Sequence, residues 1–318
     1  MRNQNLIIKT TWTLLLLILF VVGYGFLVTP THAQDISLSI TPPILEVMIQ
    51  PGKEITQNYL ISNNGNETPL KISIVPFSPS DEYGNVELED ITNYNDINIL
   101  NWFKIGGTPL DENQKRFIPR GGNQEIILTI SPPLDAPEGD YYLTLLFETD
   151  SSSLIGGRTT QTQAQIGSNI LFTVSKDGNP KKDALITLFS APKIIDSLGQ
   201  IIYTVKIKNT GSAFFKPIGK INISHLFGSE ETLTIAPQNI LASSIREIPC
   251  TKEEELIRCS LTKKVLFGIY RGNLKFQLDD GSETYESYTT TIAFPFSISA
   301  AFLIVFIIIR TIILKFKK

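Results

Sequence analysis

The stretches GDYYLTLLF (139–147) and GIYRGNLKF (268–276) both read Gly-x-Tyr-x-x-x-Leu-x-Phe. Side chains alternate across a strand with a period of two, so Tyr141, Leu143, Leu145 and Phe147 share one face. That face is wholly apolar or aromatic and is expected to point into a core, while Tyr142, Thr144, Leu146 and Glu148 take the other face. In the second copy Tyr270, Leu274 and Phe276 keep the inward face, and Gly272 stands where Leu143 stands. Each glycine opens its strand at a tight corner, and each tyrosine enters the core with its hydroxyl near a loop. The arrangement is analogous to the tyrosine corner of immunoglobulin-like sandwiches.

A second pair of stretches supports duplication. YLISNNGN (59–66) and YTVKIKNTGS (203–212) share Ile-x-Asn-x-Gly. Each is expected to end a strand at an Asn-x-Gly turn, where positive φ is accessible. In both copies this motif comes first and the Gly-x-Tyr motif follows, which points to two related units in tandem.

Outward from these anchors the chain is a series of short alternating runs broken by Gly, Pro, Asn and Asp, as in an all-β sandwich. EIILTI places Ile126, Leu128 and Ile130 on one face. It is expected to lie beside the 139–147 strand as half of a sandwich, with the proline-rich PPLDAPEG as the turn between them. The predicted fold class is all-β: two tandem immunoglobulin-like β-sandwich domains plus one C-terminal transmembrane helix. The first domain is assigned to 34–174 and the second to 184–293. A polar linker at 175–183 falls within SKDGNPKKDA.

The two ends are read as targeting and anchoring segments. Arg2 and Lys9 precede an apolar run, and Thr31-His32-Ala33 supplies the small-x-small end of a secretory signal peptide at 1–33. Near the other end no charged residue occurs from Ser287 to Ile309. A transmembrane helix is assigned to 294–314 and a basic cytoplasmic tail to 315–318, since basic flanks stay inside. The expected location is the cell membrane, single-pass, with both sandwich domains extracellular.

The chain has 28 basic and 31 acidic residues. Six basic residues and no acidic one lie in the two apolar end segments, so the part between them carries 22 basic against 31 acidic, a net of −9. Such a surface argues against nucleic acid as a partner. Histidine is equally telling: once the signal peptide is removed, only His225 of the two histidines remains. A His-based catalytic triad or multi-His metal site cannot be built from it. No nucleophile elbow, P-loop or H-E-x-x-H motif occurs. No catalytic residue, cofactor or metal ligand is therefore assigned, and the chain is read as a non-enzyme.

Several residues nevertheless merit naming. Cys250 and Cys259, bracketing TKEEELIR, are candidates for a disulfide closing a short hairpin outside the cell. The acidic loop SPSDEYGNVELED (78–90) offers Asp81, Glu82 and Asn85 as binding residues, with oxygens suited to Ca²⁺, although the EF-hand spacing is lacking. A solvated loop is the plainer reading of such a charge run. Trp102 in NILNWFKIG is either an exposed platform for sugar or a core residue. Glu87 and Glu89, about 7 Å apart on one strand face, allow a glycan hydrolase as the least favoured alternative. Asn66 and Asn222 match the glycosylation sequon.

The layout as a whole resembles the bacterial WxL-interacting protein family. The residues that carry the resemblance are PPILEVMIQPGKEITQNYLISNNGN, NWFKIGG and IPRGGNQEIILTISPPLDAPEGDYYLTLLF in the first domain, together with the terminal span and basic tail. The resemblance implies peptidoglycan binding by the first domain and contacts with other surface proteins or host molecules by the second. The expected function is a membrane-anchored cell-surface binding protein, its partner being peptidoglycan or another cell-surface protein. The alternative is a structural spacer, or a subunit of a surface or secretion assembly, without its own ligand.

Overall fold

The computed structural model describes residues 37–65, 68–90, 99–109, 115–149, 164–225, 230–279, 281 and 283–316. The expected signal peptide, the Asn66 sequon and the last two residues of the basic tail lie outside them.

The first half contributes β1 (Leu38–Thr41), β2 (Ile44–Ile49), β3 (Ile55–Asn63), β4 (Thr68–Pro79), β5 (Val86–Leu88) and β6 (Phe103–Ile105). β7 (Thr108–Pro109), β8 (Lys115–Ile118), β9 (Gly122–Ile130), β10 (Gly139–Thr149) and β11 (Gln165–Val174) complete it. They form two sheets. One runs β1-β3-β9-β6-β7 and the other β2-β11-β10-β4-β5, with β8 on β4. The chain changes sheets between β1 and β2, where the Thr41–Pro42 peptide is cis.

Between the sheets lies one apolar core. Tyr59 and Ile61 of β3 and Ile126, Leu128 and Ile130 of β9 enter it from one side, and Tyr141, Leu143, Leu145 and Phe147 of β10 from the other. The inward faces therefore follow the alternation of the sequence. The expected pairing of β9 with β10 does not hold. β9 pairs with β3 and β6, β10 pairs with β4 and β11, and the two strands face each other across the core. The connection through Pro132, Pro133 and Pro137 is too long for a tight hairpin and its prolines donate nothing to a ladder.

The second half contributes β12 (Ala184–Ser190), β13 (Ile194–Asp196), β14 (Gln200–Ile202), β15 (Thr204–Asn209), β16 (Ile218–His225) and β17 (Glu231–Ile235). β18 (Ile245–Glu247), β19 (Cys250–Lys252), β20 (Glu255–Ile257), β21 (Ser260–Thr262), β22 (Gly268–Gln277) and β23 (Thr284–Phe294) follow. A seven-stranded sheet, β13-β23-β22-β16-β17-β19-β20, packs over β12-β15-β18 around a second core built on Tyr203, Phe215, Tyr270 and Phe276. Gly272 is a packing device here: a Cβ at this position would lie 2.6 Å from the ring of Tyr203. The ring of Tyr203, from the other repeated motif, thus packs directly on the backbone at 272.

The corners behave alike in kind. Gly139 and Gly268 both have positive φ, 143° and 89°. The Tyr141 hydroxyl donates back to the Pro137 carbonyl at 2.9 Å, and the Tyr270 hydroxyl accepts from the Phe267 N–H at 3.3 Å. The Asn-x-Gly motifs also match each other, for a reason different from the expected one. Asn63 and Asn209 are buried, and each accepts the N–H of the glycine two residues on, Gly65 at 3.0 Å and Gly211 at 2.9 Å. Gly211 does not have positive φ; a Cβ there would come within 2.5 Å of the Lys181 carbonyl, so the residue is small to admit the interdomain segment.

Beyond β23, α1 (Phe296–Phe316) is 21 residues of apolar helix with no side chain buried against the sandwiches. At 1.5 Å per residue it is about 31 Å long, enough for a hydrocarbon layer of about 30 Å. It is the one helix among the described residues long and apolar enough to cross a membrane.

Candidate functional site

The site is built on the outward face of β10, opposite the side chains that fill the core. Asp140 and Tyr142 start that face. The Asp140 carboxylate accepts from the Thr173 hydroxyl at 2.6 Å, from the Tyr142 hydroxyl at 2.5 Å and from the Phe214 N–H at 2.5 Å. Phe214 belongs to the second domain. The Tyr142 hydroxyl also accepts the N–H of Ala242, again across the junction, at 2.8 Å. Around this polar centre Phe77 and Leu171 of the first domain pack with Leu241 of the second, and Tyr142 and Phe214 close over them. Burial raises the Asp140 pKa above the ordinary carboxylate value, and its three hydrogen bonds and the charge of Lys182 only partly counter it.

Ion pairs flank the apolar contact. Glu46 on β2 takes Lys216 at 2.5 Å and the Asn239 amide at 2.5 Å, both from the second domain. Glu82 pairs with Lys206, and its carbonyl accepts the Glu247 N–H at 2.6 Å. The Arg246 guanidinium lies against Gly84 and donates to the Asn239 carbonyl at 2.6 Å.

Beside these contacts opens a cleft of about 360 Å³. Both domains line it with apolar and polar side chains: Ile44, Leu171 and Glu46 from the first, and Leu241, Lys216 and Arg246 from the second. Its size falls in the range of small-ligand sites. Arg246 Nε and Asn239 Oδ1 are buried with no hydrogen-bond partner among the described residues. Burial lowers the Arg246 pKa, with the charge of Asp81 opposing that shift.

The sequence-predicted residues divide sharply. Trp102 is no exposed platform. It is 5 % exposed, with its ring edge-on to Tyr141 at 5.1 Å and to Phe172 at 6.3 Å, because its strand neighbours draw it into the core. Asp81, Glu82 and Asn85 do come together, but as a docking loop. Asp81 accepts from the Tyr83 and Asn85 N–H groups and from the Asn85 amide, so its oxygens are occupied by its own loop. Those bonds, led by the Asn85 side chain, hold its pKa below the usual carboxylate value. Among the described residues no group of three His, Cys, Asp or Glu side chains is placed to hold a metal.

Glu87 is exposed on β5 and the Glu89 N–H bonds the Pro76 carbonyl. Cys250 and Cys259 are joined, S–S 2.06 Å, in the core of the second domain. Asn222 lies mid-strand between Thr232 and Asn273, an unsuitable setting for a glycosylation acceptor. Asp140, Tyr142, Glu46 and Arg246 were missed. The available signal was the polar pair Asp140 and Tyr142 opening a strand whose inward face is wholly apolar or aromatic.

No family model and no curated protein matches the sequence. Among solved structures the chain is similar to one from the chaperone–tip adhesin complex of CFA/I fimbriae, at 13% identity and TM-score 0.37, over 77% of this chain and 100% of that one. It is also similar to the YadV chaperone, at 10% identity and TM-score 0.35, over 79% and 98%. The E. coli chaperone DraB aligns at 8% identity and TM-score 0.36, over 79% and 96%.

Proposed function

We propose that this chain is a membrane-tethered binding protein of the cell surface, which holds peptidoglycan or another surface protein through a rigid pair of sandwich domains. The observation that carries the reading is the cleft at the docked junction. It sets apolar side chains beside polar ones from both domains, and among the described residues Arg246 Nε and Asn239 Oδ1 have no hydrogen-bond partner, whereas buried polar groups ordinarily find one. The helix α1 supports a tether. The resemblance to WxL-interacting proteins supports the choice of partner, and the absence of a catalytic constellation in the sequence favours binding over turnover.

The test uses the full chain in detergent, mixed with insoluble peptidoglycan and, separately, crosslinked at the cell surface. The Ile44→Trp variant, which fills the cleft from the first domain, is run alongside. Saturable capture that Ile44→Trp abolishes is the expected result. Capture that survives Ile44→Trp places binding elsewhere on the molecule. No capture of either kind leaves the spacer reading, in which the docked domains serve only to hold a fixed distance.

A further inference from the structure

The lower end of the second domain carries apolar side chains that its own fold does not use. Strand register defines that end. Gly268 at the start of β22 pairs with Ala293 near the end of β23, and Asp196 at the end of β13 lies beside Phe294. Gln200 of β14 pairs with Thr262 of β21. The loops at 197–199 and 263–267 therefore open on the side from which α1 departs. Hydrogen bonds fix them there: the Leu266 N–H donates to the Ser197 carbonyl at 2.7 Å, and the Ser197 N–H to the Phe294 carbonyl at 3.0 Å.

On these loops Leu198, Val265 and Phe267 are 58 %, 54 % and 57 % exposed. Single exposed apolar residues are ordinary, but three on adjoining loops form a patch that calls for a partner. Lys264 is exposed on the same loop as Val265 and Phe267. The carboxylate between the loops, Asp196, is occupied: it accepts from Leu198 N–H at 2.9 Å and from Ser297 N–H, in the first turn of α1, at 2.7 Å. Of the carboxylates farther along this end, Glu231 lies two strands from β22 and is paired to Lys263 at 3.3 Å.

We infer that this end of the second domain docks on the bilayer surface, with Leu198, Val265 and Phe267 seated in the lipid interface and Lys264 at the level of anionic headgroups. The inference rests on α1 being a membrane anchor, as proposed above. What selects lipid over a protein partner is continuity. Asp196 bonds the first turn of the helix, Ser197 bonds the last residue of β23 and Leu266 bonds Ser197, so the plane that the helix enters is the plane the loops face. Apolar side chains flanked by lysine suit that boundary. Asp196, by capping the start of α1, couples the sandwich to the helix, so the interdomain cleft is held at a set height and orientation above the membrane.

The test is depth-dependent quenching on the full chain in nanodiscs containing anionic lipid. Single cysteines carrying an environment-sensitive fluorophore are placed by Leu198→Cys, Val265→Cys, Phe302→Cys in α1 and Leu134→Cys in the first domain, where Leu134 is 82 % exposed. The expected result is loss of fluorescence at Leu198 and Val265 with headgroup-level lipid nitroxides. Phe302 should be quenched by deep nitroxides, and Leu134 only by aqueous iodide. If Leu198 and Val265 respond to iodide like Leu134 while Phe302 still meets lipid, the docking surface is overturned and the anchor stands. If Phe302 meets no lipid either, both fall. Shielding of Leu198 and Val265 from lipid and iodide alike would mean a protein covers the patch, which also overturns the inference.

Discussion

The strands β10 and β22 begin with the same motif and end in different roles. Both send a tyrosine into a core from a glycine corner. They differ on the outward side. In β10 the residues flanking the tyrosine are Asp140 and Tyr142, which bind two backbone amides of the other domain. In β22 the matching residues are Ile269 and Arg271, both exposed. The inward face is thus common to both strands, while β10 alone carries outward side chains that contribute two of the junction's hydrogen bonds. The inward face of a Gly-x-Tyr strand builds the domain, while its outward face determines what the domain docks on.

Asp140→Ala is expected to break this comparison most severely. It strands the Phe214 N–H in a half-apolar setting, weakening docking by about 1–3 kcal/mol. Label-to-label distances between the domains should broaden, while Arg271→Ala at the matching position of β22 leaves them unchanged. The next effect is confined to one domain. Replacing Cys250 and Cys259 together by serine should destabilise the second domain by about 2–3 kcal/mol through loop entropy, and domain-resolved thermal unfolding should show the first domain unmoved. A smaller contrast separates the two corners. Tyr141→Phe loses a 2.9 Å hydrogen bond to a carbonyl and should cost about 1 kcal/mol. Tyr270→Phe loses a 3.3 Å contact and should cost less in the same denaturant titration.

The smallest expected effect is on pH. The Asp140 pKa is raised in the folded protein, so the folded state holds this proton more tightly than the unfolded chain does. Its contribution to stability is full below about pH 4, the ordinary carboxylate value, and declines as pH rises through the raised folded value. Asp140→Asn should flatten that decline in a stability–pH series.

Inward faces were legible because burial on one side of a strand imposes period two: Tyr141, Leu143, Leu145 and Phe147 were read correctly from spacing alone. Sheet membership was not, since β9 and β10 look the same whether paired side by side or opposed across a core. The junction was hidden for another reason. Asp140 and Tyr142 have the chemistry of any solvent-facing pair, and their partners Phe214 and Ala242 lie 74 and 100 residues away. Asp81, Glu82 and Asn85 stand out in sequence for oxygens suited to a cation, yet Asp81 and Asn85 bond within their own loop and Glu82 bonds the second domain.

The central claim is that side chains of the first domain hold loop amides of the second. Amide hydrogen exchange of the full chain reads it directly at Phe214 and Ala242. The account predicts that both amides are protected like those of paired strands and that Asp140→Ala releases Phe214. Exchange of both in the unaltered protein at the rate of an open loop would contradict it.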